Sequence, residues 1–142
     1  MHLPMLPLVV KLAGFLLAIL PLLIDNLRTG RATNGNNLIL LLGGLAMLVL
    51  DRYMGWSDRS LQTSGIWIIA GMAIVFVAHG IIGIPSGVAK TLMALLPWFT
   101  VEGYLGVVTA GFFATALIGY VMRRDAPAVP SFMVAGVVIL AL

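Results

Sequence analysis

Hydrophobic residues make up 61% of this 142-residue chain and charged residues only 9%, and its mean hydropathy is +1.12. Soluble domains average about 25% charged residues, so the composition excludes a soluble globular domain and predicts a protein embedded in the lipid bilayer. The net charge of +3 is scattered and does not favour nucleic-acid binding, and the absence of cysteine excludes disulfides and thiolate chemistry.

Six apolar stretches, taken in chain order, predict six transmembrane helices in one all-helical domain, residues 1–142. A spanning helix needs about 20 mostly apolar residues. The predicted spans are residues 3–24, 36–50, 64–84, 89–100, 103–122 and 129–142. Spans 36–50 and 89–100 are short, so they either thin the bilayer or pack inside the bundle. Because residues 1–4 lack the features of a signal peptide, we expect the first span to be retained.

Loop charges predict the orientation of these helices. The basic residues in or beside the odd-numbered loops are Arg28, Arg31, Lys90, Arg123 and Arg124, with Asp125 beside the last two. The second loop balances two Asp-Arg pairs, 51–52 and 58–59, which we expect to be solvated, and the fourth loop has only Glu102. Basic loops face the cytoplasm, so the odd loops are predicted to be cytoplasmic and both termini non-cytoplasmic.

Two polar segments interrupt the apolar chain. Residues 26–34 read Asn-Leu-Arg-Thr-Gly-Arg-Ala-Thr-Asn, and residues 83–90 read Gly-Ile-Pro-Ser-Gly-Val-Ala-Lys. They fall in the first and third predicted loops. The predicted topology therefore places both segments on the same side of the membrane.

The first segment resembles an active-site motif of the type IV prepilin leader peptidases. These are GxGD-type membrane aspartyl proteases, and the resemblance is to the short form without the methyltransferase domain. The motif is Asp, an apolar residue and Arg, ending in Ile-Pro-Asn eight positions after the Asp. The positions that fit are Leu27, Arg28, Arg31 and Asn34. Asn26 stands at the aspartate position and Ala32-Thr33 stand at Ile-Pro.

The second segment is similar to the other motif of that family, Gly-x-Gly-Asp followed by an apolar residue and Lys. Gly87, Ala89 and Lys90 fit this register. Pro85 replaces the first Gly and Val88 replaces the aspartate. A third segment, residues 129–136, resembles the Pro-led start of the last helix of the family.

The resemblance implies a multi-pass protein of the bacterial inner membrane that serves the processing or assembly of type IV or tight-adherence pili. Besides the lipid bilayer, its implied partners are pilin precursors or pilus-assembly proteins. The implied substrate-cleft residues are Arg28, Asn34, Gly87 and Lys90. For Lys90 the structural alternative is a side chain that snorkels to the membrane interface.

The catalytic chemistry of the family depends on two aspartates that this chain lacks. Two neighbouring carboxylates share one proton, so that one acts as general base and the other as general acid. The amide of Asn26 accepts no proton near neutral pH, and Val88 has no polar group. Each acid or base contributes about 10²–10⁴-fold in rate. We therefore expect a catalytically degenerate protein and assign no catalytic residue.

Asp25 offers an alternative, an active endopeptidase that uses this neighbouring carboxylate instead. Adjacent helical residues differ by about 100° around the axis, so Asp25 would need a local distortion to replace Asn26. No acidic residue occurs between Asp58 and Glu102 to replace the second aspartate.

Two ionisable residues inside predicted spans suggest a function of another class. Lys11 lies in the first span and His79 in the third, four residues before Gly83. Such residues are candidates for function, and His79 is also a cleft candidate, although a neutral imidazole bonded to a helix carbonyl is the structural alternative. A small transporter or channel subunit requires both side chains to face one water-filled cavity.

The remaining features favour structure over chemistry. Gly43-Gly44 and the small residues at 103, 106, 110 and 111 predict close helix packing. Two histidines and five carboxylates indicate no metal site, and no cofactor is expected. A structural membrane protein with an accidental likeness to the family is the third possibility.

Overall fold

The computed structural model describes residues 5–123 and 128–142, and the chain is helical throughout these two ranges except at its short connections. The helices are α1 (Met5–Thr29), α2 (Asn34–Tyr53), α3 (Leu61–Ile82), α4 (Ser86–Leu95), α5 (Val101–Met122) and α6 (Ala128–Ala141). A 3-10 turn, Leu96–Trp98, continues α4. The prediction of an all-helical protein is confirmed for this part of the chain. Arg124 and Asp125 of the predicted fifth loop lie outside the described residues.

Four of the described helices are long and apolar enough to cross a bilayer, namely α1, α2, α3 and α5. This confirms a helical membrane protein. Helix α6 has 14 residues and α4 only 10, so the count of six spans and the sidedness of the termini stay predictions. Of the two behaviours expected for a short span, α4 shows packing inside the bundle, because half of its residues are buried.

The predicted second span, 36–50, was too short. Helix α2 runs for 20 residues, about 30 Å, which matches the hydrocarbon thickness of a bilayer. The helix begins earlier because the Thr33 hydroxyl accepts a hydrogen bond from the backbone N–H of Asn36 and caps its first turn. Because of this cap, the helix starts with polar residues, whereas hydropathy alone predicts a later start.

The helices pack in a defined order around a common core. Helix α1 contacts α2 and α6, α6 contacts α5, and α4 contacts α2 and α3. The largest fully buried side chains include Phe15, Leu22, Leu40, Leu95, Leu96, Phe132 and Met133. Large apolar side chains on α3 and α5 point outward, as with Ile69 at 72% exposure, and these faces suit contact with lipid tails.

Glycines let the helices approach closely at the predicted positions. A Cβ added to Gly44 would lie 2.8 Å from the Trp98 ring, whose Nε1–H donates to the Leu40 carbonyl at 2.7 Å. A Cβ added to Gly111 would collide with Phe132 of α6. The prediction of close packing at Gly43-Gly44 and along α5 is confirmed.

Candidate functional site

The two polar segments meet at one end of the bundle. The α1–α2 and α3–α4 connections lie side by side and enclose a cavity of about 360 Å³, here named the motif cavity. It is lined by Asn26, Gly30, Arg31, Ala32, Pro85, Ser86, Gly87, Val88, Ala128 and Val129. Asn26 and Val88, which stand at the aspartate positions of the two motifs, thus line the same cavity. The third segment, residues 129–136, contributes Val129 to its wall.

Each connection is shaped by a glycine in the left-handed region. Gly30 has a φ of 68°, and its N–H donates to the Asn26 carbonyl at 2.8 Å, which ends α1. Gly83 has a φ of 77°, and its N–H donates to the His79 carbonyl at 3.2 Å, which ends α3. Side chains with a Cβ rarely adopt this conformation, so the glycines turn both chains into the short connections beside the cavity.

Asn26 is the buried polar group of the motif cavity. It lies on the inward face of α1 with 6% of its surface exposed, and its Oδ1 has no hydrogen-bond donor among the described residues. A buried acceptor without a donor costs about 1–3 kcal/mol. The terminal torsion of an asparagine is broad, so Oδ1 can turn toward a ligand that brings an N–H into the cavity.

Val88, from the other polar segment, gives the cavity an apolar side chain. Val88 is half-buried and packs against the hydrophobic core. None of the described residues that line the cavity is acidic, and Arg31 is its charged member. The cavity can therefore offer hydrogen bonds and a positive charge to a ligand, but it holds no group that takes a proton from water near neutral pH.

Asp25 does not line the motif cavity. Its Oδ2 accepts from the Asn36 side-chain amide at 3.1 Å, and the same amide reaches the Pro21 carbonyl at 3.3 Å. Asp25 therefore points toward the α1–α2 contact. Helix α1 stays regular through Thr29, so the distortion that would turn Asp25 into the place of Asn26 is absent from this part of the chain.

One side-chain pair joins the two polar segments, and a second joins α2 and α4 just beyond them. The Lys90 ammonium donates to Asn34 Oδ1 at 2.8 Å, and the Thr91 hydroxyl lies 3.0 Å from Asn37 Oδ1. A Cβ added to Gly87 would make ordinary contact with Ala32 at 3.6 Å, so glycine is not required there by crowding. Sequence reasoning missed the buried Asn37–Thr91 pair, although Asn37 lies three residues after Asn34 and Thr91 directly follows Lys90.

Of the five predicted cleft residues, Gly87 lines the cavity, whereas Arg28, Asn34, Lys90 and His79 lie outside its wall. Arg28 is exposed on α1, and His79 is half-buried with its Nδ1–H donating to the Ile84 carbonyl. His79 thus follows its structural alternative, with the carbonyl belonging to the connection after α3 instead of to the helix. This bond joins α3 to the connection that follows it.

Lys11 has a carboxylate partner that the sequence did not suggest. Its Nζ lies 2.6 Å from Asp51 Oδ2, at the end of the bundle opposite the motif cavity. The expectation that Asp51 is solvated was wrong, since only 6% of the residue is exposed. The antiparallel pairing of α1 and α2 joins two residues 40 positions apart. Lys11 and His79 sit near opposite ends of the bundle, so they do not face one common cavity.

No family model, curated protein or solved structure matches this chain.

Proposed function

We propose that the protein is a prepilin-peptidase-like protein of the bacterial inner membrane that binds pilin precursors in the motif cavity without cleaving them. One observation carries the proposal: Asn26 and Val88, the two positions at which the family would need aspartates, line the same cavity. The motif registers were assigned from the sequence, independently of that arrangement.

The cavity has the chemistry of a peptide-binding cleft. The free Oδ1 of Asn26 suits a backbone N–H, and Arg31 at the rim suits a carbonyl or carboxylate of the bound chain. The rest of the wall consists of Pro85, Ser86 and small glycine, alanine and valine residues, which leave space for a peptide backbone to approach. The Lys90–Asn34 bond holds the two segments at a fixed separation.

The two rival functions lack a comparable observation. An active endopeptidase would need Asp25 in the cavity, but Asp25 is bonded to Asn36. A transporter or channel subunit would need Lys11 and His79 on one path, but Lys11 is paired with Asp51 and His79 with Ile84. Neither rival gains support from the positions of these residues.

A capture experiment tests the proposal. The purified protein in detergent is mixed with a pilin precursor, leader peptide intact, from the same organism. We expect the precursor to copurify with the protein and to keep its leader, as measured by mass spectrometry. Clean removal of the leader would contradict the expected absence of catalysis.

A matched pair of variants locates the bound precursor. Gly87→Trp fills the motif cavity and should abolish capture, because Gly87 lines its wall. Gly80→Trp is the control, since Gly80 lies exposed on α3 with no heavy atom within 4 Å of an added Cβ. Equal capture by both variants would place the precursor elsewhere.

A further inference from the structure

A second polar cavity lies at the other end of α1, about 22 Å along the helix from Asn26 to Lys11. Its volume is about 110 Å³. The polar side chains in its wall are Lys11, Asp51, Ser57, Arg59 and Thr100, and the apolar ones include Trp98, Phe99 and Leu140. Nothing in the proposed function uses these residues. We name it the Lys11–Asp51 cavity.

Asp51 leaves half of its hydrogen-bonding capacity unused. Lys11 occupies Oδ2, but Oδ1 is buried and has no donor among the described residues. A carboxylate oxygen without a donor is costlier than a neutral one. Asp51 lines the cavity, so a donor bound there can approach this carboxylate while Lys11 remains bonded to Oδ2.

The charges around the cavity do not balance. Lys11 and Arg59 each contribute one positive charge and Asp51 one negative charge. Arg59 is half-buried and forms no ion pair within residues 5–123 and 128–142. The charged side chains of the cavity therefore sum to +1. A guanidinium is well suited to a phosphate group, which it binds through two parallel hydrogen bonds.

The position and size of the cavity restrict the ligand further. Asp51 lies in the last turn of the spanning helix α2, so the cavity is at the level of lipid headgroups, and Trp98 and Phe99 give it an apolar side. A volume of 110 Å³ equals roughly four water molecules in the liquid, the scale of a glycerol group. The free oxygen of Asp51 calls for a neutral donor, since Lys11 already supplies a cation.

We propose that the Lys11–Asp51 cavity binds a phosphodiester anion carrying free hydroxyls, the chemistry of a phosphatidylglycerol headgroup. The phosphate lies against Arg59, and a glycerol hydroxyl donates to Asp51 Oδ1. The Ser57 and Thr100 side chains are the nearby polar groups for the remaining hydroxyl. The same headgroup chemistry reaches the site from the bilayer as a lipid or from solution as glycerophosphoglycerol.

Four phospholipids with matched acyl chains separate the two requirements. Phosphatidylglycerol has the charge and the donors, phosphatidylmethanol has only the charge, phosphatidylethanolamine has a donor without net charge, and phosphatidylcholine has neither. Binding to the whole protein in neutral detergent is measured by native mass spectrometry. We expect phosphatidylglycerol to bind about tenfold more tightly than any of the other three. Equal binding of phosphatidylglycerol and phosphatidylmethanol would overturn the role of Asp51.

Two arginine variants distinguish the cavity from general surface charge. Arg59→Gln should weaken phosphatidylglycerol binding about tenfold, whereas Arg52→Gln should leave it unchanged, because Arg52 is exposed and lies outside the cavity. If Arg59→Gln unfolds, the double variant Ser57→Ala with Thr100→Ala is compared with wild type instead. It should weaken the binding of phosphatidylglycerol but not that of phosphatidylmethanol. Equal effects of Arg52→Gln and Arg59→Gln would overturn the proposal. If glycerophosphoglycerol competes as well as the lipid, the proposed headgroup chemistry is supported and the natural ligand is a soluble one.

Discussion

Replacing both Asn26 and Val88 by aspartate is expected to give the protein a leader-peptidase activity that the wild type lacks. Aspartate is close in size to asparagine and valine, so the double variant adds two carboxylates without reducing the volume of the motif cavity. Two carboxylates that approach within a few ångströms across the cavity share a proton, which supplies the general base and the general acid together. Each group is worth about 10²–10⁴-fold, so either single variant should be at least about 100-fold slower than the double variant.

The assay follows leader removal from a captured precursor by mass spectrometry. Asp25→Asn in the double-variant background is the control and should keep the activity, because Asp25 binds Asn36 outside the cavity. A folded double variant that captures the precursor and leaves it intact would contradict a retained peptidase scaffold. Activity that depends on Asp25 would instead favour the endopeptidase alternative.

Lys11→Met is expected to destabilise the protein by about 3 kcal/mol. Removing one partner of a buried ion pair leaves an uncompensated charge, which typically costs about 3–5 kcal/mol, and the lower end applies because the Lys11 side chain is 33% exposed. The double variant Lys11→Met with Asp51→Leu removes both charges and should recover most of the loss. The free energy of unfolding is measured in detergent by denaturant titration followed by circular dichroism.

Asp58→Asn serves as the control for that series. Asp58 is an exposed carboxylate in the connection between α2 and α3. Its replacement should change the free energy of unfolding by less than about 0.5 kcal/mol. A loss below about 1 kcal/mol for Lys11→Met, or a double variant no more stable than the single one, would show that the pair is not buried in the folded protein.

The sequence predicts the helices better than it predicts their contacts. Hydropathy locates the four long helices, and the spacing of small residues locates the close contacts at Gly44 and Gly111. The start of α2 is missed because hydropathy ignores the hydrogen bond that caps it. Helix α4 begins and ends earlier than the predicted span 89–100, and it is packed within the bundle. A short apolar stretch has the same hydropathy whether it contacts lipid or protein.

The candidate site divides in the same way. The motif registers pair Asn26 with Val88, because loops on one side of a bundle are the natural neighbours. The Lys11–Asp51 pair is missed because it depends on the register of an antiparallel helix pair, which loop length and hydropathy do not determine. His79 shows that an ionisable residue inside a span can be satisfied by one local carbonyl.

Cysteine protection at position 88 tests most directly whether the motif cavity is the site of precursor binding. The chain has no cysteine, so Val88→Cys introduces a single thiol into the cavity wall. The rate of alkylation by a water-soluble maleimide is measured with and without saturating pilin precursor, and Arg52→Cys at the opposite end is the control. We predict at least about tenfold slower alkylation at position 88 and no change at position 52, on the scale of a 1.4 kcal/mol difference. An unchanged rate at position 88 in protein that has captured the precursor would contradict the account.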